Sequence, residues 1–149
     1  MIARGIRNNN PLNIKYSAKN AWKGKVKDEE KEDPVFEEFT SMGYGLRAAL
    51  KIIRNQCMRE GGCTPRSIIR RWAPPGVDGN PTEAYISYVQ RRMKELLVDE
   101  WDVAESFNPA LKVSFSNYPV MRALITAMSE FESKYSPEVH DFRWAWNNL

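Results

Sequence analysis

The chain has 149 residues, 42% hydrophobic and 28% charged, the balance of an ordinary soluble globular domain. Five Trp, six Tyr and six Phe supply a core and exclude global disorder. Twenty-two Lys and Arg against 19 Asp and Glu leave a net charge of +3, too little for a dense nucleic-acid-binding surface.

Residues 4–24 are polar, Asn-rich and interrupted by Pro11, so they read as an extended loop with little regular structure. The run KVKDEEKEDP over 25–34 reads as a solvated charged loop. Residues 35–39 read as a short strand that pairs with 12–16 in a small β element. Leu46, Leu50, Ile53 and Cys57 recur at helical spacing, predicting an amphipathic helix over 44–60 that Gly61 and Gly62 stop. Thr64 and Pro65 open a short helix through Trp72. Asn80 is placed as the N-cap of the next helix, with Glu83 three residues on. The stripe Ile86, Val89, Met93, Leu96 and Leu97 carries that helix to about residue 98. Residues 99–116 hold at most one short helix. Tyr118 and Pro119 open a long helix to about Ser133, and 134–149 add a further turn or short helix. The sum is a single domain over 1–149, mainly α, with a minor β element.

No apolar run approaches the roughly 20 residues of a membrane span, and the first ten residues lack the apolar stretch of a Sec-type signal peptide. Two cysteines and one histidine, His140, fall short of a zinc ligand set, so no metal is expected. Cys57 and Cys63 flank the Gly-Gly turn. The default reading is two reduced, half-buried thiols; the alternative, a local disulfide, implies an oxidising compartment.

The chemistry concentrates in the helix over 118–133. At about 100° per residue, Met121, Leu124, Ile125, Met128 and Phe131 share an apolar arc. Glu132 falls inside that arc and Glu130 on the opposite, solvent side. A carboxylate on an apolar face must find a cation, rise in pKa or line a cleft. A raised pKa is what the general acid of glycoside cleavage needs. The plainer alternative is a helix-end Glu132 that is edge-exposed or paired with Arg.

Residues 127–139, AMSEFESKYSPEV, resemble the catalytic-helix segment of lytic transglycosylases and goose-type lysozymes. There a helix ends in Glu-Ser, with an aromatic two residues later and then Pro. Glu132, Ser133, Tyr135 and Pro137 stand at those positions. Residues 4–15, RGIRNNNPLNIK, followed by Trp22, Lys23 and Gly24, resemble a segment of phage-associated peptidoglycan-degrading and virion proteins. They are also similar to the stretch that follows the catalytic helix in autolysin-type glucosaminidases. Softer matches at 67–75 and 82–86 extend the phage-type resemblance over about residues 4–90. Ala84 and Tyr85 are similar to the Ala-Tyr-Asn element of lytic transglycosylases, with Ile86 in place of Asn. In these families the Glu helix precedes the Asn stretch, whereas here it follows. Together the matches imply a circularly permuted, lysozyme-like α+β domain.

The resemblance implies cleavage of the β-1,4 bond between N-acetylmuramic acid and N-acetylglucosamine in peptidoglycan glycan strands. Glu132 is the implied general acid, and no metal or organic cofactor is required. Ser133, Tyr135 and Tyr85 are implied substrate contacts. Asn10 and Asn13 carry amides that suit N-acetyl and hydroxyl groups, although Asn equally serves left-handed turns. Trp22 offers a sugar-stacking face or a half-buried core ring. Glu37, Glu38 and the carboxylates of residues 28–30 are the candidates for activating a water. Without one, Glu132 acts as base while the muramic 6-hydroxyl closes a 1,6-anhydro ring. Arg66, Arg70 and Arg71 form a basic face, either solvated or turned to an anionic wall. The rival reading is a non-catalytic virion structural or wall-binding protein. Delivery to the wall is expected through a holin, a virion or a secretion device.

Overall fold

A computed structural model of the chain describes residues 2–98 and 107–149. Six helices follow in order among the described residues. They are α1 (Arg4–Arg7), α2 (Met42–Glu60), α3 (Pro65–Trp72), α4 (Thr82–Leu96), α5 (Tyr118–Ser133) and α6 (Val139–Asn147). Among the described residues extended structure is limited to isolated antiparallel bridges, so the fold is mainly α with a minor β element. Within the described residues, no helix is long and apolar enough to cross a membrane. The helix allowed within 99–116 falls partly outside the described residues, and 107–116 are turns around a bridge at Val113. The chain resolves into two compact units, residues 1–52 with 132–149, and residues 53–131.

In the first unit the expected loop over 4–24 begins as a helix. The N–H of Asn8 closes on Arg4 O at 2.9 Å and that of Asn10 on Gly5 O at 2.8 Å. Asn9 then leaves the helix with φ 51°, a left-handed conformation that Asn tolerates better than most residues. The expected pairing of 35–39 with 12–16 forms as a bridge between Lys15 and Phe36, and a second bridge joins Lys25 to Phe39. The charged run is not wholly solvated. Asp33 is buried, and its carboxylate accepts from Arg4 Nε at 2.9 Å, Arg4 NH2 at 2.7 Å and the Asn8 amide at 2.9 Å. The backbone N–H groups of Val35 and Phe36 donate to the same carboxylate, each at 2.9 Å. Five donors around one acceptor, Arg4 foremost, hold its pKa well below the usual carboxylate range.

That depression fixes a pH dependence. A carboxylate ionised more readily when folded contributes stability that is complete above its unfolded pKa of about 4 and is lost as pH falls below it. Glu37 runs in the opposite sense, because burial raises its pKa and its contribution declines as pH rises. Thermal melts between pH 7 and pH 3 should therefore show a steep acid-side loss of Tm. Asp33→Asn should flatten that slope and cost about 2–3 kcal/mol at neutral pH.

Helix α2 starts at Met42, two residues before the apolar stripe predicts, with the Tyr44 N–H donating to Ser41 Oγ at 3.3 Å. The stripe faces inward as expected: Leu46, Leu50, Ile53 and Cys57 are buried. Gly45 makes the closest approach, since a Cβ there would overlap the Asn9 carbonyl oxygen. The obstacle is backbone, which cannot rotate away. Gly45→Ala should destabilise by about 2–3 kcal/mol in denaturant titration, outweighing the helix-propensity gain of about 1 kcal/mol.

In the second unit Gly61 (φ 65°) and Gly62 (φ 106°) end α2 where the sequence places the stop. Cys57 and Cys63, expected as free thiols by default, are instead joined as a disulfide. The turn brings their Cα atoms to 4.8 Å, within the range the bond requires. Thr64 caps α3 through a reciprocal pair: its hydroxyl accepts from the Ser67 N–H, and the Ser67 hydroxyl accepts from the Thr64 N–H. Helix α4 departs from expectation at its start. Pro81 occupies the cap position, and the Asn80 amide donates to Pro74 O instead. Thr82 donates its hydroxyl to Ala73 O at 2.6 Å, in line with the packing of α3 on α4. Arg66 and Arg70 of the basic face meet Glu83 at 3.0 and 3.7 Å, which partly neutralises that face.

Candidate active site at the Asn13–Glu132 contact

Helix α5 buries Val120, Met121, Leu124, Ile125 and Met128, the stripe that fixes its orientation. Its two late carboxylates do not sort into one solvent-facing and one core-facing as the helical arc predicts; both are partly exposed. Glu130, expected in solvent, is only 12% exposed and ion-paired. Arg92 Nε lies 2.8 Å from its carboxylate, Arg92 NH2 3.2 Å, and the Tyr88 hydroxyl donates at 3.1 Å. The neighbouring α4 supplies a cation that periodicity on one helix cannot reveal. Glu132, expected on the apolar side, keeps partial access to solvent.

Within the first unit, Glu132 meets the asparagine stretch. The Asn13 amide lies 3.3 Å from Glu132 Oε1 and 3.4 Å from the Glu132 carbonyl oxygen. Both are long hydrogen bonds. Asn13 reaches them from a left-handed backbone, φ 53°. The segment is tied again one residue on, where the buried Ser133 hydroxyl donates to Pro11 O at 2.8 Å. Gly5 lies under Ser133: a Cβ at Gly5 would overlap the Ser133 hydroxyl. Residues 119 positions apart in sequence are thus fixed against each other.

Other expected substrate contacts prove to be supports. Asn10 is fully buried; its amide donates to Ile14 O and Glu37 O, and its Oδ1 accepts the Ile14 N–H, all at 2.9 Å. No side-chain atom of Asn10 is left for a sugar, so its assignment to substrate is corrected to scaffold. Ser133 is corrected likewise, since its hydroxyl is buried and committed to Pro11. Tyr85 is 2% exposed and stacked on Phe131 with ring centroids 4.2 Å apart, a core residue of the second unit. Trp22 and Tyr135 are both half-buried in the first unit. Burial, then the charges of Asp141 and Glu138, raise the Tyr135 phenol pKa, so it remains a hydrogen-bond donor at neutral pH.

Three of the candidate second carboxylates are buried or bonded elsewhere. Glu37 is sealed from solvent, with Lys25 Nζ at 3.6 Å. Glu38 Oε2 accepts the N–H groups of Glu32 and Asp33 at 2.7 and 2.6 Å. Asp28 pairs with Lys25 at 3.0 Å and accepts from the Tyr16 hydroxyl at 2.9 Å. Glu29 and Glu30 stand exposed on the charged loop. Sequence reasoning missed Arg92 and Asp33. Asp33 carried a legible clue, the Asp-Pro that ends the charge run.

The chain matches no protein-family model. Over 149 positions it is 33% identical to Protein P5 of Pseudoalteromonas phage PM2, covering 97% of this chain and 82% of that protein. The chain belongs to the P5 family. P5 of PM2 is a bacteriophage protein, which accords with the phage-type resemblance of residues 4–90. In this P5-family chain the Asn stretch and Glu132 belong to one compact unit.

Proposed function

We propose that the protein is a peptidoglycan-cleaving glycosidase of lysozyme-like type, permuted in sequence, that cuts the bond between N-acetylmuramic acid and N-acetylglucosamine. The observation that carries this reading is the Asn13–Glu132 contact, which sets a partly solvent-accessible acid of α5 against the asparagine stretch. With the Asn13 amide donating to Oε1, the proton of a neutral Glu132 belongs on Oε2, from which it would pass to a glycosidic oxygen. After the bond breaks, the Glu132 carboxylate takes the proton of the muramic 6-hydroxyl as that oxygen attacks the anomeric carbon. The product is a 1,6-anhydro sugar, and Glu132 is protonated again.

This single-carboxylate route is favoured because Glu37 is buried and Glu38 and Asp28 are bonded elsewhere. Tyr135 and Trp22 remain as half-buried candidates for sugar contact. The Cys57–Cys63 disulfide suits a protein that works outside a reducing compartment. Mass spectrometry of fragments released from purified sacculi tests the mechanism: anhydro ends support it, and reducing ends assign a hydrolytic water instead. Binding to sacculi with no released fragments would assign the protein as a wall-binding virion component.

A further inference from the structure

The first unit also holds a polar recess of about 540 Å³, within the size range of small-ligand sites. Its floor is Asp33, bonded to Arg4, Asn8 and two backbone N–H groups. Arg4 lies flat over the Phe36 ring, 4.7 Å from its centroid, so its guanidinium is fixed in two directions. Glu38 anchors the opposite edge through the N–H groups of Glu32 and Asp33. These bonds pair Arg4 with Asp33 and leave the charges of Arg7, Glu30 and Glu32 at the recess. Arg7 is 57% exposed and reaches Asp33 only at 3.8 Å, beyond hydrogen-bond length. Glu30 and Glu32 are exposed, with no ion pair among the described residues.

The recess therefore presents guanidinium and carboxylate groups together. A ligand with negative groups alone would meet Glu30 and Glu32, and one with positive groups alone would meet Arg7. An ammonium and a carboxylate on one carbon answer both charges. We propose that this recess binds the amino-acid zwitterion of a peptide side chain. Its source is the free amine–carboxylate centre of diaminopimelate in the peptidoglycan stem peptide. The choice of source rests on the wall-cleaving reading; the zwitterion chemistry rests on the recess alone. The site would anchor the stem peptide while the glycan is cut.

The test is an NMR titration of the whole chain with the tripeptide L-alanyl-γ-D-glutamyl-meso-diaminopimelate. The expected result is saturable shifts at the N–H groups of Arg7, Glu32 and Asp33. Arg7→Gln and Glu32→Gln should each weaken binding about tenfold with melts nearly unchanged, since the Glu32 side chain lies outside the Asp33 network and Arg7 reaches it only at 3.8 Å. The tripeptide ending in lysine has the amine without the carboxylate, and should also bind about tenfold more weakly. Free diaminopimelate carries the same centre and should bind comparably; its failure to bind would overturn the zwitterion reading. No saturable shifts at millimolar tripeptide, or equal response to the lysine peptide, would overturn the proposal. Tripeptide binding by a chain that cuts no glycan would leave this site standing and sink the glycosidase reading.

Discussion

Glu132→Gln is expected to lower release of soluble fragments from purified sacculi by about three orders of magnitude, with the melting temperature nearly unchanged. Gln keeps the volume and still accepts from the Asn13 amide, but it has no proton to give and no charge with which to recover one. If one group serves as both acid and base, nothing replaces it. Glu130→Gln is the informative contrast. That side chain is held by Arg92 and Tyr88, so its loss should cost about 1–2 kcal/mol of stability and leave turnover intact well below the melt. A Glu132→Gln protein that still clears sacculi, or a Glu130→Gln protein that is folded and inactive, would overturn the assignment. Asn13→Ala should fall between them, losing activity without losing the fold.

Asn10→Ala is expected to destabilise the protein by about 3–5 kcal/mol, enough to unfold a marginal chain at 37 °C. One amide satisfies three backbone groups: the N–H and C=O of Ile14 and the C=O of Glu37. Removing it strands the Ile14 N–H and the Glu37 C=O away from water, while the Ile14 C=O keeps only the Glu37 N–H. Denaturant melts measure the loss directly. If Asn10→Ala melts like the native protein but binds glycan weakly, the residue belongs to the substrate after all.

These two residues show how far the sequence could be read. Apolar spacing located α2 to α5 because burial of one stripe leaves a period that survives in any context, as at Leu46, Leu50, Ile53 and Cys57. The asparagines were singled out correctly as special, but the residue type cannot separate a turn-former from a ligand. Asn9 and Asn13 share the left-handed backbone, and only Asn13 reaches Glu132. The environments of Glu130 and Glu132 were legible only in part. Periodicity records which way a side chain leaves its own helix, not what a neighbouring helix offers, and Arg92 decides the matter. Asp33 was hidden in a run that reads as solvent-loving, because its partner Arg4 lies 29 positions earlier. The disulfide was visible as a spacing and became a bond only once the glycines had folded the chain back.

The contact between Asn13 and Glu132, with Ser133 seated over Gly5, sets an order of events during synthesis. The asparagine stretch leaves the ribosome early and has no acid to meet until residue 133 has emerged. Pairings this distant in sequence form late and slowly. On the proposed function, a nascent or prematurely terminated chain therefore carries no assembled cutting centre, and glycan is spared until Glu132 has been added.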